Sequence, residues 1–211
     1  MVSIILAAGW PIWPLILCSL LAVAVVIERL LNLKLARIAP PKLLGEALLV
    51  SRTAVPPREV VDKLAKNSAL GEVLASGLSY LSMNPRCSEQ DLRATMEGSG
   101  REVAHRMERY LSALATIASA APLLGLLGTV IGMIEIFGSQ TPATGAGGAN
   151  PAQLAHGISV ALYNTAFGLM VAIPSLIFWR YFRATVDAYL LTLELAADQF
   201  ARHLKTLRVT A

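Results

Sequence analysis

Three side chains in this sequence stand where polar chemistry is expensive. Thr129, Thr165 and Glu135 each interrupt a long apolar run. A threonine hydroxyl in such a run has two uses. It can donate to a backbone carbonyl one turn earlier, which simply satisfies it, or it can line a cavity and hand water or a proton onward. On residue type alone, packing outweighs pathway for both threonines. Glu135 is the one acidic residue outside the segments that also carry the basic ones. A carboxylate inside a membrane is costly and is by default a functional candidate. Glu135 lies about a turn from the end of its run, so it reads either as a solvated mouth residue or as part of an ion path.

Little else in the chain could react. His105, His156 and His203 are scattered, no Cys/His cluster has metal-ligand spacing, and no glycine loop follows a strand to cradle phosphate. We therefore expect no enzyme activity, no cofactor and no metal. The glycines serve helix packing instead. Ala118, Ala121, Gly125, Thr129 and Gly132 recur along one side of a helix, with Gly128 beside them. Ala161, Thr165, Gly168 and Ala172 do the same further on. In lipid, helices gain nothing from apolar burial alone, so small faces that let backbones approach become the packing device. Pro122 and Pro174 each remove a helix hydrogen bond and free a carbonyl, that of Ala118 and Met170 respectively. Their similar placement suggests a shared bend or cavity. Asn164 stands about 100° round the helix from Thr165 and is read as serving a neighbouring helix.

The elements that hold these residues are three apolar stretches, Ile12–Ile27, Leu111–Phe137 and Gly157–Trp179. Hydrophobic residues make up 55 % of the chain and charged residues 15 %, against about 25 % charged in a soluble domain. All 18 Lys and Arg lie on one side of the stretches: 13 between Arg29 and Arg109, five after Trp179, none before the first stretch and none in Gly138–His156. Basic residues beside a span stay in the cytoplasm. The expected topology has three spans, the N-terminus periplasmic and the C-terminus cytoplasmic. The net charge of +4 is concentrated beside the spans, which points to anionic phospholipid and away from nucleic acid. Arg29, Lys34, Arg180 and Arg183 are the expected head-group contacts. Trp10 and Trp13 suit the outer interface. With no basic n-region, the first span is read as a retained anchor.

The resulting division is 1–31 for the N-terminus and first span, 32–110 for a cytoplasmic loop, 111–137 for the second span, 138–156 for a periplasmic connector, 157–179 for the third span and 180–211 for a cytoplasmic helix. Pro40-Pro41, Pro56-Pro57 and Asn84-Pro85 punctuate the loop. They predict short helices over Lys42–Ser51, Arg58–Asn67 and Leu70–Ser82. Ser88, with Asp91 three residues on, predicts a helix start, and no firm stop follows before Phe137. That would be one helix about 75 Å long, of which a bilayer core takes only about 30 Å. Met96, Gly100, Val103, Met107, Tyr110 and Leu114 form a seam along it. Phe182, Val186, Tyr189, Leu193, Ala196 and Phe200 form a second seam in the tail. The spacing fits a hairpin within one chain and packing between copies equally well.

Two stretches carry a resemblance. Ala121-Pro-Leu-Leu-Gly-Leu-Leu-Gly-Thr-Val-Ile-Gly-Met-Ile-Glu-Ile-Phe137 resembles the second span of the ExbB/TolQ/MotA proton-channel family, and Ala161-Leu-Tyr-Asn-Thr-Ala-Phe-Gly-Leu-Met-Val-Ala-Ile-Pro174 resembles its third. The three-span pattern and large loop extend the likeness over essentially the whole chain, closer to ExbB or TolQ than to four-span MotA. The fold implied is all-α, a polytopic membrane protein with two spans extended into a cytoplasmic helical bundle. The function implied is the ring subunit of a motor in the bacterial inner membrane driven by the proton gradient. Such a ring would be a homopentamer around an ExbD-like or TolR-like single-span partner whose aspartate carries the proton. Its work would reach the outer membrane through a TonB-like or TolA-like protein. Thr129 and Thr165 match the family's polar pore-lining threonines. Many relatives carry a glutamate early in the third span, where this chain has Val160; either no acid is needed there or Glu135 substitutes. A reading of another class, a structural scaffold that conducts nothing, should tolerate Thr→Val at both threonines.

Overall fold

The computed structural model describes residues 10–52, 55–138 and 151–209. All regular structure among them is helical: α1 (Ile12–Asn32), α2 (Leu35–Ile38), α3 (Leu43–Val50), α4 (Arg58–Asn67), α5 (Ala69–Met83), α6 (Glu89–Glu108), α7 (Leu111–Gly138) and α8 (Pro151–Val209). The protein is all-α, and Ile12–Asn32, Glu89–Gly138 and Gly157–Thr206 are long and apolar enough to cross a membrane. The helices form two compact units. One takes the chain to Glu28 and Tyr110–Tyr181; the other takes Arg29–Arg109 and the chain from Phe182 onward.

The first unit is a membrane-type packing of α1, α7 and the early part of α8. Its small core joins Leu15, Ala121 and Ala172, with Leu124, Phe167 and Val171 against them. The outward surface is apolar: Leu20 is 67 % exposed and Met170 66 %. A water-soluble surface would not sustain so many, whereas lipid tails solvate them. Pro14 falls in the first turn of α1, where no helix partner is lost. Pro151 opens α8, so the last six residues of the expected 138–156 connector are helical instead. Proline's fixed φ suits a first helical position, and that outweighs the polar composition around it. Residues 139–150 of that connector, and residues 1–9 of the N-terminus, lie outside the described residues.

The second unit is built around α5, whose Leu70, Val73, Leu74, Leu78 and Leu81 are all buried. Ser68 caps it, accepting from the Gly71 amide at 3.0 Å. Glycine is required at Gly71, since a Cβ there would lie 2.1 Å from the Leu64 carbonyl oxygen on α4. The predicted start of α6 is present as a full capping box: Ser88 Oγ accepts from the Asp91 amide at 3.0 Å, and the Asp91 carboxylate accepts from the Ser88 amide at 3.0 Å. These Ser88 hydrogen bonds, side-chain first, hold the Asp91 carboxyl below its ordinary value.

The two seams settle inside the chain. Met96, Val103 and Met107 are buried on α6, as are Phe182, Val186, Leu193, Ala196 and Phe200 on α8. Ion pairs fix the register: Glu108 with Arg183 at 2.9 Å, Arg93 with Asp198 at 2.5 Å, Glu89 with Lys205 at 2.8 Å. As α6 numbers fall, α8 numbers rise, so the helices are antiparallel. Each pair joins an exposed cation to a half-buried carboxylate and contributes on the order of 1 kcal/mol. They select the register, and the buried seams supply the stability. Lys205, then Arg93, lower the Glu89 carboxyl from its usual value.

Two seam expectations need correcting. The predicted continuous helix from Ser88 to Phe137 is interrupted by a turn at Arg109–Tyr110. Arg109 keeps helical dihedrals (φ −44°, ψ −42°), so the interruption leaves no composition signal. Tyr110 is 37 % exposed and does not join the seam.

Candidate functional site

The site begins with the absence of side chains on one face of α7. Gly125 and Gly128 turn toward α8, and both are buried. A Cβ on Gly125 would lie 2.8 Å from the Asn164 carbonyl oxygen and 3.0 Å from Thr165 Cα. On Gly128 it would meet Asn164 Cβ at 2.7 Å. From the other side, a Cβ on Gly168 would stand 2.6 Å from the Ala121 carbonyl oxygen. Gly132 faces Ala161 more loosely, at 3.1 Å. Rising numbers on α7 again meet falling numbers on α8, so this is an antiparallel pair at backbone contact. Asn164, which the sequence assigned to a neighbouring helix, lies inside this pair and is 2 % exposed. The small residues opposite it leave the room that its amide fills.

This closeness puts a hydroxyl within reach of the other helix. Thr165 Oγ1 donates to the Gly125 carbonyl oxygen at 3.2 Å. Thr129 Oγ1 donates to the Leu126 carbonyl oxygen of its own helix at 2.7 Å. Thr129 is one turn, about 6 Å of rise, beyond Gly125, so the two threonines occupy neighbouring levels. Both are half-buried. Each hydroxyl gives its proton to a carbonyl and keeps acceptor capacity for another donor. Thr129 also lines a shallow apolar trough on α7 with Val130, Met133, Ile134 and Phe137.

Glu135 is exposed near the end of α7 and does not line that trough. Six residues turn a helix through about 600°, which leaves about 120° between Glu135 and Thr129. The carboxylate and the hydroxyl therefore leave α7 by different flanks. The two prolines also part company. Pro174 lines a groove of about 510 Å³ with Ile16, Leu20, Val23 and Met170, between α8 and α1. Pro122 does not line it, and each proline lies within an unbroken helix. Hydroxyls accompany both sites: Ser119 donates to the Ala115 and Thr116 carbonyls, and Ser175 to that of Val171.

Of the four basic residues expected at lipid head groups, Lys34, Arg180 and Arg183 are exposed. Arg29 is not. It is 5 % exposed, and its Nη1 donates to the Met107 carbonyl oxygen at 2.8 Å. A buried guanidinium needs such a partner, and charge counting along the sequence cannot reveal it. Arg183 divides its guanidinium between Glu108 at 2.9 Å and Asp187 at 3.4 Å. No group of three or more His, Cys, Asp or Glu among the described residues could hold a metal ion.

Comparison with known proteins matches residues 65–195 to a family described as the MotA/TolQ/ExbB proton channel family. The biopolymer transport protein exbB1 of Vibrio cholerae is 33 % identical over 79 % of this chain and 72 % of its own length. A putative biopolymer transport protein ExbB-like 1 of Synechocystis is 34 % identical over 83 % of this chain and 67 % of its own. The Tol-Pal system protein TolQ of Haemophilus influenzae is 34 % identical over 50 % of this chain and 46 % of its own. The matched region includes α7 and the glycine-lined part of α8.

Proposed function

Because the chain belongs to the MotA/TolQ/ExbB proton channel family, we propose that it is the ring subunit of an ExbB-type motor of the inner membrane, driven by the proton gradient. Five copies surround an ExbD-like single-span partner, and a TonB-like protein carries the work to the outer membrane. In this reading Thr129 and Thr165 line the proton path. Residues 32–110 and 180–211 are cytoplasmic, while the N-terminus and 138–156 are periplasmic. Lys34 and Arg180 meet anionic phospholipid.

One observation carries the proposal. The Thr165 hydroxyl sits in a backbone-tight helix pair that also buries the polar side chain of Asn164, and it is bonded to the Gly125 carbonyl. Thr129 lies one turn away and carries the polar atom of its trough. A surface that a partner helix moves against should be smooth and apolar, with polar atoms only where the proton passes. In this reading Glu135, exposed near the end of α7, is a mouth residue and not a member of the path. A TolQ-like role, with TolR-like and TolA-like partners, differs in partner and not in the physics of the path.

The test is proton flux in vesicles holding the chain with its ExbD-like partner. Thr129→Val and Thr165→Val should each cut flux at least about ten-fold, the scale of one lost hydrogen bond to a developing charge. Full flux in the double variant would take both threonines out of the path, and absence of flux in the wild-type vesicles would leave the scaffold reading in its place.

A further inference from the structure

We propose that Arg29 and Arg183 are positioning residues that clamp the end of α6, and so fix the turn from which α7 begins. The inference rests on the ring-subunit reading only where it predicts proton flux.

The last four carbonyls of a helix have no N–H partner within it. For α6 these include Met107, two residues before the turn at Arg109–Tyr110. Arg29, from the end of α1, brings its guanidinium to that carbonyl at 2.8 Å while 95 % shielded from solvent, being 5 % exposed. A cation at a helix C-terminus also meets the negative end of the helix dipole. The neighbouring residue is held as well: Glu108 accepts from Arg183 Nη1, on α8, at 2.9 Å. Two successive residues at one helix end are thus gripped by cations from two other helices. An apolar residue at position 29 would be cheaper to bury, but it would leave the Met107 carbonyl without this donor. Thr129 stands on the helix that begins at Leu111, directly after the clamped turn. Loosening the clamp should therefore release the turn first and reach the threonine level second.

The experiment uses the full chain with its partner in vesicles and compares Arg29→Met with Arg29→Lys. Methionine keeps the stem's packing and removes every donor; lysine keeps one charged donor. Amide exchange is measured on a fragment spanning residues 105–114, and proton flux is measured per assembled ring. In Arg29→Met we expect exchange about ten-fold faster, as for an opened local unit, with flux several-fold lower. Arg29→Lys should recover most of both, which a lost packing contact would not explain. Unchanged exchange in Arg29→Met overturns the clamp. Faster exchange with wild-type flux overturns its positioning role. If Arg29→Met does not assemble, Glu108→Gln is measured instead, and unchanged exchange there overturns the proposal. A wild-type chain that conducts no protons would defeat the ring-subunit reading while the exchange result still decides the clamp.

Discussion

Thr165 donates its hydroxyl proton to the carbonyl oxygen of Gly125 across 3.2 Å, from one helix to another. The α7 ladder gives that same oxygen the amide of Thr129, four residues on. One carbonyl therefore connects both threonines, and glycine at position 125 is what lets the second helix come close enough. A side chain there would push α8 away and break the bond.

That reasoning sets the first prediction. Gly125→Ala and Gly168→Ala put a methyl group against backbone atoms at 2.8 Å and 2.6 Å. Backbone cannot swing aside, so overpacking should cost about 1–3 kcal/mol each. Gly100→Ala is the control, since a Cβ there meets nothing within 4 Å. In a helix it should be neutral or gain up to about 1 kcal/mol. Thermal unfolding of the purified protein separates the two classes, and equal losses at Gly100 and Gly125 would refute the close-packing account.

Thr165 allows a finer test. Thr165→Ser keeps the hydroxyl, whereas Thr165→Val keeps the shape. Removing the bond to Gly125 should cost about 1 kcal/mol of stability, seen in the valine variant and not in the serine one. A serine variant as unstable as valine would show that the methyl, not the hydroxyl, matters at this position.

Helix α6 should fray without its cap. Ser88→Ala removes an acceptor for the Asp91 amide and should cost about 1 kcal/mol. Faster amide exchange confined to the first turn of α6 is the expected signature. Protection equal to wild type over residues 89–92 would mean that the box contributes nothing.

Acid should loosen the same end. Glu89, held low chiefly by its hydrogen bond to Lys205, and Asp91, held low by Ser88, both have folded values below their unfolded ones. For lowered carboxyls the added stability is present above the unfolded pKa and is lost as pH falls through the folded one. The loss should therefore begin below about pH 4, the ordinary carboxylate range. Glu89→Gln should flatten that part of the acid-unfolding curve, and an unchanged slope would remove Glu89 from it.

Much of this architecture is legible along the chain because its signals are local. Proline pairs mark the loop breaks, so Arg58–Asn67 emerges at its expected bounds and α3 and α5 within a residue or so of theirs. Ser88 and Asp91 announce the start of α6 by side-chain chemistry that acts within three residues. The turn at Arg109–Tyr110 gives no such notice, because neither residue disfavours helix and Arg109 keeps helical dihedrals. At the site, the glycine spacing on α7 and α8 foretells a close pair, but not its register. Register is a relation between residues about forty apart, and it decides that Asn164 fills the space beside Gly128. It also decides that Thr165 serves Gly125 and not its own helix. Glu135 and Thr129 could be told apart in direction by counting residues, though their surroundings could not.

The concealment of Arg29 says something about when charge matters. An arginine beside an apolar stretch biases which side of the membrane its flank stays on. Once folding is complete this guanidinium is sealed against a peptide carbonyl, and the lipid surface no longer meets it. For Arg29 the charge counted along the sequence does not describe the folded exterior, whereas Lys34, Arg180 and Arg183 stay exposed.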